Sequence, residues 1–168
     1  MRAGFDAIRG ERVVGVISDT HGLVRPEALE ALRGSELIVH AGDIGGLEVL
    51  DALRVLAPVV AVRGNNDRDG WGRTLRETEV VEVGDVHLYV LHDLHGLDLD
   101  PAAAGFRAVI SGHSHRPLVE ERKGVLYLNP GSAGPRRFTL PIAVARLHVT
   151  GSSLSAEIIE LSTRRMPG

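Results

Sequence analysis

Short apolar runs and helix-periodic segments alternate through the first half of the chain: "RVVGVI" (12–17), "PEALEALRG" (26–34), "ELIVH" (36–40), "GLEVLDALRVL" (46–56) and "PVVAV" (58–62). β-Branched runs spaced by helical segments of this length give the βαβαβ rhythm of a parallel sheet covered by helices. Pro26 at the start of the first helix and Gly34 just past its end match the usual helix punctuation. The second half reads differently. "TEVVEV", "VHLYVL", "RAVI", "GVLYL", "PIAVARLHV" and "LSAEIIEL" are strand-like, and a two-residue Gly84-Asp85 turn joins the first two as a hairpin. The pattern predicts an α/β chain with two sheets and helices outside them.

Six of these apolar runs end in polar loops. "VVGVI" leads into Ser18-Asp19-Thr20-His21-Gly22, "LIVH" into Ala41-Gly42-Asp43, and "VVAV" into Arg63-Gly64-Asn65-Asn66-Asp67. "HLYVL" leads into His92-Asp93, "AVI" into Ser111-Gly112-His113-Ser114-His115, and "VLYL" into Asn129-Pro130-Gly131-Ser132. Open α/β sheets bind ligands beyond the carboxyl ends of their strands, so six such loops can converge on one edge.

Composition narrows the chemistry. With 168 residues, 43% of them apolar, the chain is expected to form one domain over 1–168, with an N-terminal extension over 1–11 and a tail over 162–168. Its 19 basic and 22 acidic residues leave a formal charge of −3, which argues against a large nucleic-acid footprint. The absence of Cys removes thiolate catalysis, thiolate metal sites and disulfides, and fits the cytoplasm. "MRAGFDAIRGER" lacks the apolar core of a signal peptide, and the run from Val55 to Val62 is too short for a bilayer, so no membrane partner is expected. A homo-oligomer is compatible with all of this.

The convergent set is Asp19, His21, Asp43, Asn65, His92, His113 and His115. Imidazole with carboxylate and amide oxygen, without sulfur, suits Mn, Fe, Ni, Co or Zn, and we take Mn as the first choice. Seven side chains exceed one site. Two divalent metal ions sharing a bridging carboxylate would use them all, as in two-metal hydrolases whose ions lie about 3.5 to 4 Å apart.

In order along the chain, "SDTHG", "HAGD", "RGNND", "HD" after a strand, "SGHSH" and "NPGS" resemble the calcineurin-like metallophosphoesterase family, especially its small prokaryotic phosphodiesterase branch. The resemblance runs from Val13 to Leu161. Each motif is weak alone, and their ordered conjunction at strand ends is specific. It implies a four-layer sandwich, two mostly β-sheets packed face to face with helices on the outside. It also implies that Asp19, His21, Asp43 and His115 hold one metal, and that Asp43, Asn65, His92 and His113 hold the other, with Asp43 bridging.

The activity implied is hydrolysis of a small-molecule phosphoester, most readily a diester, by a metal-bridging hydroxide. Two divalent ions, Asp19, Asp43 and a hydroxide sum to about +1, which attracts a phosphate without a basic surface. The catalytic set is then Asp43, Asn65 and His113, acting through the hydroxide and the phosphate, with Asn66 and Asp67 as further candidates. Many relatives carry His at the position of Asn66 to protonate the leaving oxygen, with Asp67 able to orient it; an amide cannot do so. The leaving group must then depart on its own low pKa, or take a proton from water or from a neighbour such as His40. Backbone amides of 64–67 and 131–133 could add donors to the phosphoryl oxygens, and Arg136 or Arg137 could reach the substrate.

Blander readings stand beside these. A single Asp or His after a strand is more often a turn or cap residue than a ligand. His87, His95 and His148 read as structural or solvent-facing, His40 as a residue behind the ligands, and Asp98 and Asp100 as helix-start or surface charges. "LHG" at 94–96 mimics the family's His-Gly, yet His92 follows the strand directly and is preferred over His95. The run 112–116 misses a serine-hydrolase elbow because Arg116 stands where a small residue is needed. The rival in another class is a non-catalytic scaffold on the same fold, like the retromer subunit that resembles this family; the complete ligand set here favours an enzyme.

Overall fold

The computed structural model describes residues 10–162. The expected extension over 1–11 and tail over 162–168 therefore lie outside the described residues, apart from the positions where they join the domain. Ten strands form two five-stranded sheets. The first sheet contains β1 (Glu11–Ile17), β2 (Leu37–His40), β3 (Val59–Ala61), β9 (Ala143–Thr150) and β10 (Ser153–Glu160), in the order β10-β9-β1-β2-β3. The second contains β4 (Thr78–Val83), β5 (Val86–Leu91), β6 (Ala108–Ile110), β7 (Leu118–Arg122) and β8 (Val125–Asn129), in the order β4-β5-β6-β8-β7.

Within each sheet, three strands are parallel: β1, β2 and β3 in one, and β5, β6 and β8 in the other. These six are the strands whose sequences run into polar loops. The other four pair antiparallel, through β4-β5, β7-β8, β9-β10 and β1-β9. Alternation along β5 shows how the layers form. Val86, Leu88 and Val90 enter the cluster between the sheets, opposite Val14, Val16 and Val39, whereas Tyr89 and Leu91 face outward.

Helix α1 (Pro26–Leu32) and helix α2 (Leu47–Arg54) cover the outer face of the first sheet, burying Ala28, Leu32, Val49, Leu50 and Leu53 against Ile17, Ile38 and Val144. Gly15 lets α1 lie close: a Cβ there would come within 2.8 Å of Leu32 Cδ2. The outer layer on the second sheet is thin, consisting of helix α3 (Pro101–Ala104) and the surrounding segment, with Leu94, Leu97, Leu99 and Phe106 packed on Tyr89 and Val109. Asp100 caps α3 by accepting from the Ala103 amide at 3.3 Å, while Asp98 is exposed. This is the four-layer α/β sandwich expected.

Strand β7 is the element the pattern analysis missed. Leu118–Arg122 is a charged edge with no buried face, and it joins β8 through the left-handed Lys123-Gly124 turn. Charge on an edge strand discourages pairing with other chains, and it also erases the alternation that would announce a strand. No helix among the described residues is long and apolar enough to cross a membrane.

Candidate metal centre

The carboxyl ends of the parallel strands bring all seven candidate ligands to one edge. Asp19, just past β1, is fully buried; Ser18 Oγ donates to its Oδ2 at 2.7 Å and the His113 amide donates to the same oxygen at 3.0 Å. The other oxygen, Oδ1, is buried without a hydrogen-bond partner. Three imidazole nitrogens ring it: His115 Nε2 at 3.4 Å, His92 Nε2 at 3.9 Å and His21 Nε2 at 4.0 Å. His21 Nε2 is itself buried and unpartnered. A dry anionic oxygen and lone-pair nitrogens converging on one space form a donor set that a cation satisfies.

Asp43, past β2, is the second carboxylate. Its Oδ1 accepts from the Asn66 amide at 2.9 Å, and its Oδ2 accepts from Asn66 Nδ2 at 3.2 Å. Oδ2 also lies 3.3 Å from His92 Nε2 and 3.9 Å from His21 Nε2. Burial pushes the Asp43 carboxyl up, but His92 and the Asn66 amide outweigh it and pull it down to about 2. For Asp19, burial is likewise outweighed by His115, Ser18 and the charge on His92, which hold its carboxyl below the ordinary range.

His92 follows β5, and its tautomer is set by a fixed acceptor. Nδ1 lies 2.7 Å from the Ala41 carbonyl, which can only accept, so Nδ1 carries the proton and the Nε2 lone pair faces the carboxylates. Burial favours neutral His92, yet the hydrogen bond to Asp43 and the charge of Asp19 prevail and raise its pKa. His113 Nδ1 is 3.3 Å from His92 Nε2, and its Nε2 is 3.8 Å from Asp93 Oδ2. One terminal atom of the Asn65 amide lies 3.1 Å from His92 Nε2 and 3.2 Å from both Asp43 oxygens. With nothing between them the NH2 end fits there; with a cation between them the oxygen end does.

Two groups of ligand atoms lie within 4.8 Å of one another, Asp19 with His21 and His115, and Asp19 with Asp43 and His92. Asp19 is common to both, and Asp43 Oδ2 reaches toward a histidine of each. The backbone adds a signal that residue types do not carry. Asp19, His21, Asp43, His113 and His115 have left-handed φ values of 55°, 47°, 55°, 70° and 62°. Such strain costs on the order of 1 kcal/mol or more per residue and persists where the surroundings over-determine it.

Behind the ligands lies a second set of contacts. Asp67 is 1% exposed, and its carboxylate accepts from the amides of Ile44, Gly45 and Gly64 at 2.9 to 3.2 Å. It ties the loop after β2 to the loop after β3, and its oxygens are spent on these amides; Asn66, by contrast, is exposed and turned toward Asp43. Gly64 is required because a Cβ there would collide with Asp43. His40 is fully buried. Its Nδ1 accepts from the Gly42 amide at 3.1 Å and its Nε2 meets Thr20 Oγ1 at 3.0 Å, so both nitrogens are engaged.

Two expectations are corrected here. Burial drives His40 down to about 3, so it is neutral and enclosed and cannot deliver a leaving-group proton. Of the seven amides over 64–67 and 131–133, those of Gly64, Asn66, Asp67, Gly131 and Ala133 are already donated within the protein, to Asp67, Asp43, Gly64, Asn129 and Ser18 respectively, which narrows the expected phosphoryl donors to Asn65 and Ser132. Arg136 and Arg137 are exposed, and Arg136 donates to the Leu140 carbonyl. His95 is 96% exposed and pairs with Asp93 at 3.1 Å, outside the cluster that holds His92. Ser18, Asp93 and Asn129 stand at strand ends in the same motifs, and their residue types alone do not announce the contacts they make here. Asn129 holds the "GHSH" loop, donating to the Gly112 carbonyl at 2.9 Å and to Ser114 Oγ at 3.1 Å.

Comparison with known proteins agrees with this geometry. The profile of the Calcineurin-like phosphoesterase superfamily domain matches residues 13–152. A protein described as a probable metallophosphoesterase from Methanothermobacter thermautotrophicus is 41% identical over 158 residues, covering 88% of this chain and 91% of the relative. Among solved structures, an archaeal phosphodiesterase is similar with a TM-score of 0.72 and 25% identity, over 88% of this chain and 99% of that one. Vps29 of Entamoeba histolytica complexed with zinc is similar with a TM-score of 0.68 and 26% identity, over 88% and 98%. With the matched region holding every candidate ligand and reaching into every strand but β10, the chain belongs to the calcineurin-like phosphoesterase superfamily.

Proposed function

We propose that the protein is a phosphodiesterase, a hydrolase whose centre takes two divalent metal ions. Asp19, His21, Asp43 and His115 would hold one ion, and Asp43, Asn65, His92 and His113 the other, with Asp43 shared. The observation that carries this reading is Asp19 Oδ1, an unpartnered buried carboxylate oxygen within 4.0 Å of three imidazole nitrogens. Manganese is the first metal to test, a small phosphoester the substrate class, and the cytoplasm the compartment.

When bound, such ions supply a nucleophilic water at neutral pH and positive charge for the phosphoryl oxygens. The chain does the positioning. The Ala41 carbonyl keeps Nε2 of His92 free to bind, and Ser18 with the His113 amide fixes Asp19 so that Oδ1 points into the site. Asn66 holds the shared carboxylate of Asp43 through both its backbone and its side chain. No ionisable side chain takes the place of His at Asn66, so the leaving group departs on its own acidity.

The test joins metal analysis of the purified protein with hydrolysis of bis(p-nitrophenyl) phosphate before and after chelation, followed by Mn²⁺ addition. Bound transition metal and chelator-sensitive hydrolysis restored by Mn²⁺ are expected. Likeness to Vps29 keeps a scaffold role in view. A protein that takes up no metal and hydrolyses no phosphoester would leave that role as the better reading.

A further inference from the structure

Two cavities meet at the candidate centre, and His113 and Asp93 line both. One, of about 330 Å³, is the more polar of the two, bordered by Arg63, Asn65, Glu77 and His92, with Arg63 paired to Glu77 at 2.8 Å. The other, of about 400 Å³, is bordered by Leu94, Pro117 and Leu118, with Gly112 and His95 and Arg116 also at its edge. Gly112 is buried, the three apolar side chains are half-buried, and His95 and Arg116 are exposed, which makes a slot with an apolar wall and a flat, polar rim. A phosphodiester has two arms, and a phosphate at His113 would send one into each cavity.

We propose that the second cavity binds a flat aromatic arm, so that the substrate class is a diester with one aromatic substituent. The inference rests on the phosphodiesterase reading above. The volume suits a single ring system, within the usual range of small-molecule pockets. Leu118 belongs to none of the three buried clusters, so its apolar surface is available to a ligand. Ser111, Ser114 and Asn129 also border the cavity, but Asn129 is engaged with the Gly112 carbonyl and Ser114 Oγ, so a sugar or other hydroxyl-rich arm would lose hydrogen bonds to water against Leu94, Pro117 and Leu118. A guanidinium and an imidazole at the rim can lie over a ring face, an attraction that a puckered aliphatic ring does not offer. Asn66 borders neither cavity, and the lack of a proton donor there favours an aryl group as the arm that departs, whichever cavity holds it. An aryl oxide leaves without a proton donor, and an alkoxide does not.

The test is binding rather than turnover. Metal-loaded protein is titrated calorimetrically with methyl-, cyclohexyl- and phenylphosphonate. Phenylphosphonate should bind about tenfold tighter than methylphosphonate, and cyclohexylphosphonate about threefold weaker than phenyl. Leu118→Trp, which fills the slot, should remove the phenyl preference while leaving methylphosphonate affinity unchanged. Arg116→Ala, at an exposed position, should weaken phenyl binding about threefold and spare methyl. Equal affinity for phenyl and methyl, or for phenyl and cyclohexyl, overturns the aromatic assignment while the phosphodiesterase reading stands. A protein that binds no metal and no phosphonate sinks both.

Discussion

Asp43 and Asp19 are chemically alike and differently placed, and substitution separates them. Asp43 Oδ2 faces a histidine of each proposed site, and Asn66 holds both of its oxygens. Asp43→Asn should therefore bring metal content below one ion per chain, whereas Asp19→Asn should keep the ion held by Asp43, Asn65, His92 and His113. Equal loss in both variants, measured by elemental analysis, would shift the bridging role to Asp19, which the geometry also brings into both groups. Asn66 sets the second prediction at this scale. Across a series of aryl and alkyl diesters, log rate should fall steeply with leaving-group pKa, because general acid assistance worth about 10² to 10⁴ in rate is missing. A flat dependence would mean that another residue supplies the proton. Asn66→His should flatten the slope only partly, since it also removes the side-chain donor to Asp43.

Contacts between elements decide whether the loops hold their shape. Asp67 joins the loops after β2 and β3 through amides of Ile44, Gly45 and Gly64. Asp67→Ala strands these donors in a buried place, and should lower stability by about 3 kcal/mol or more in urea unfolding of the metal-free protein. A loss under 1 kcal/mol would mean that water replaces the carboxylate. On the far side of the first sheet, His148 of β9 bridges Glu157 of β10 at 3.2 Å and Glu11 of β1 at 2.8 Å. These hydrogen bonds raise its pKa. The folded value lies above the unfolded one, so the stabilisation is complete below the ordinary histidine range near pH ~6.5 and lost as pH rises through the folded value. His148→Gln should thus lower Tm at pH 6 and change it little at pH 9; an equal drop at both would assign the bridge a packing role alone.

At the scale of the whole molecule, metal and proton compete for His92. Its pKa is raised in the metal-free protein, so that form gains stability from His92 below pH ~6.5 and loses it as pH rises through the folded value. Metal needs the neutral imidazole, so affinity rises over the same interval. The two trends have opposite signs. The Tm difference between metal-loaded and chelated protein should widen from pH 6 to pH 8, reaching about 5 to 10 °C at a hundredfold excess over Kd. Scanning calorimetry with and without Mn²⁺ checks it, and a pH-independent difference would remove His92 from the ligand set.

Periodicity in the sequence was enough for the two sheets, α1 and α2, and the β4-β5 hairpin, because alternation and helical spacing are local and each strand buries a face. The six polar loops and the seven candidate ligands were legible for a related reason: a parallel strand must deliver its carboxyl end to the same edge as its neighbours. Strand β7 was not, since it is a charged edge, and helix α3, a single capped turn, was signalled only by Asp100 at its start. Tertiary structure alone decided the rest. The tautomer of His92 depends on a carbonyl 51 positions away, and the aim of Asp19 depends on an amide 94 positions away. The left-handed backbone of five candidate ligands, the five donated amides around them, the enclosure of His40 and the apolar slot beside His113 all arise where distant loops pack together. Residue type supplies donors and acceptors; which of them stay unpartnered is settled only when the loops meet.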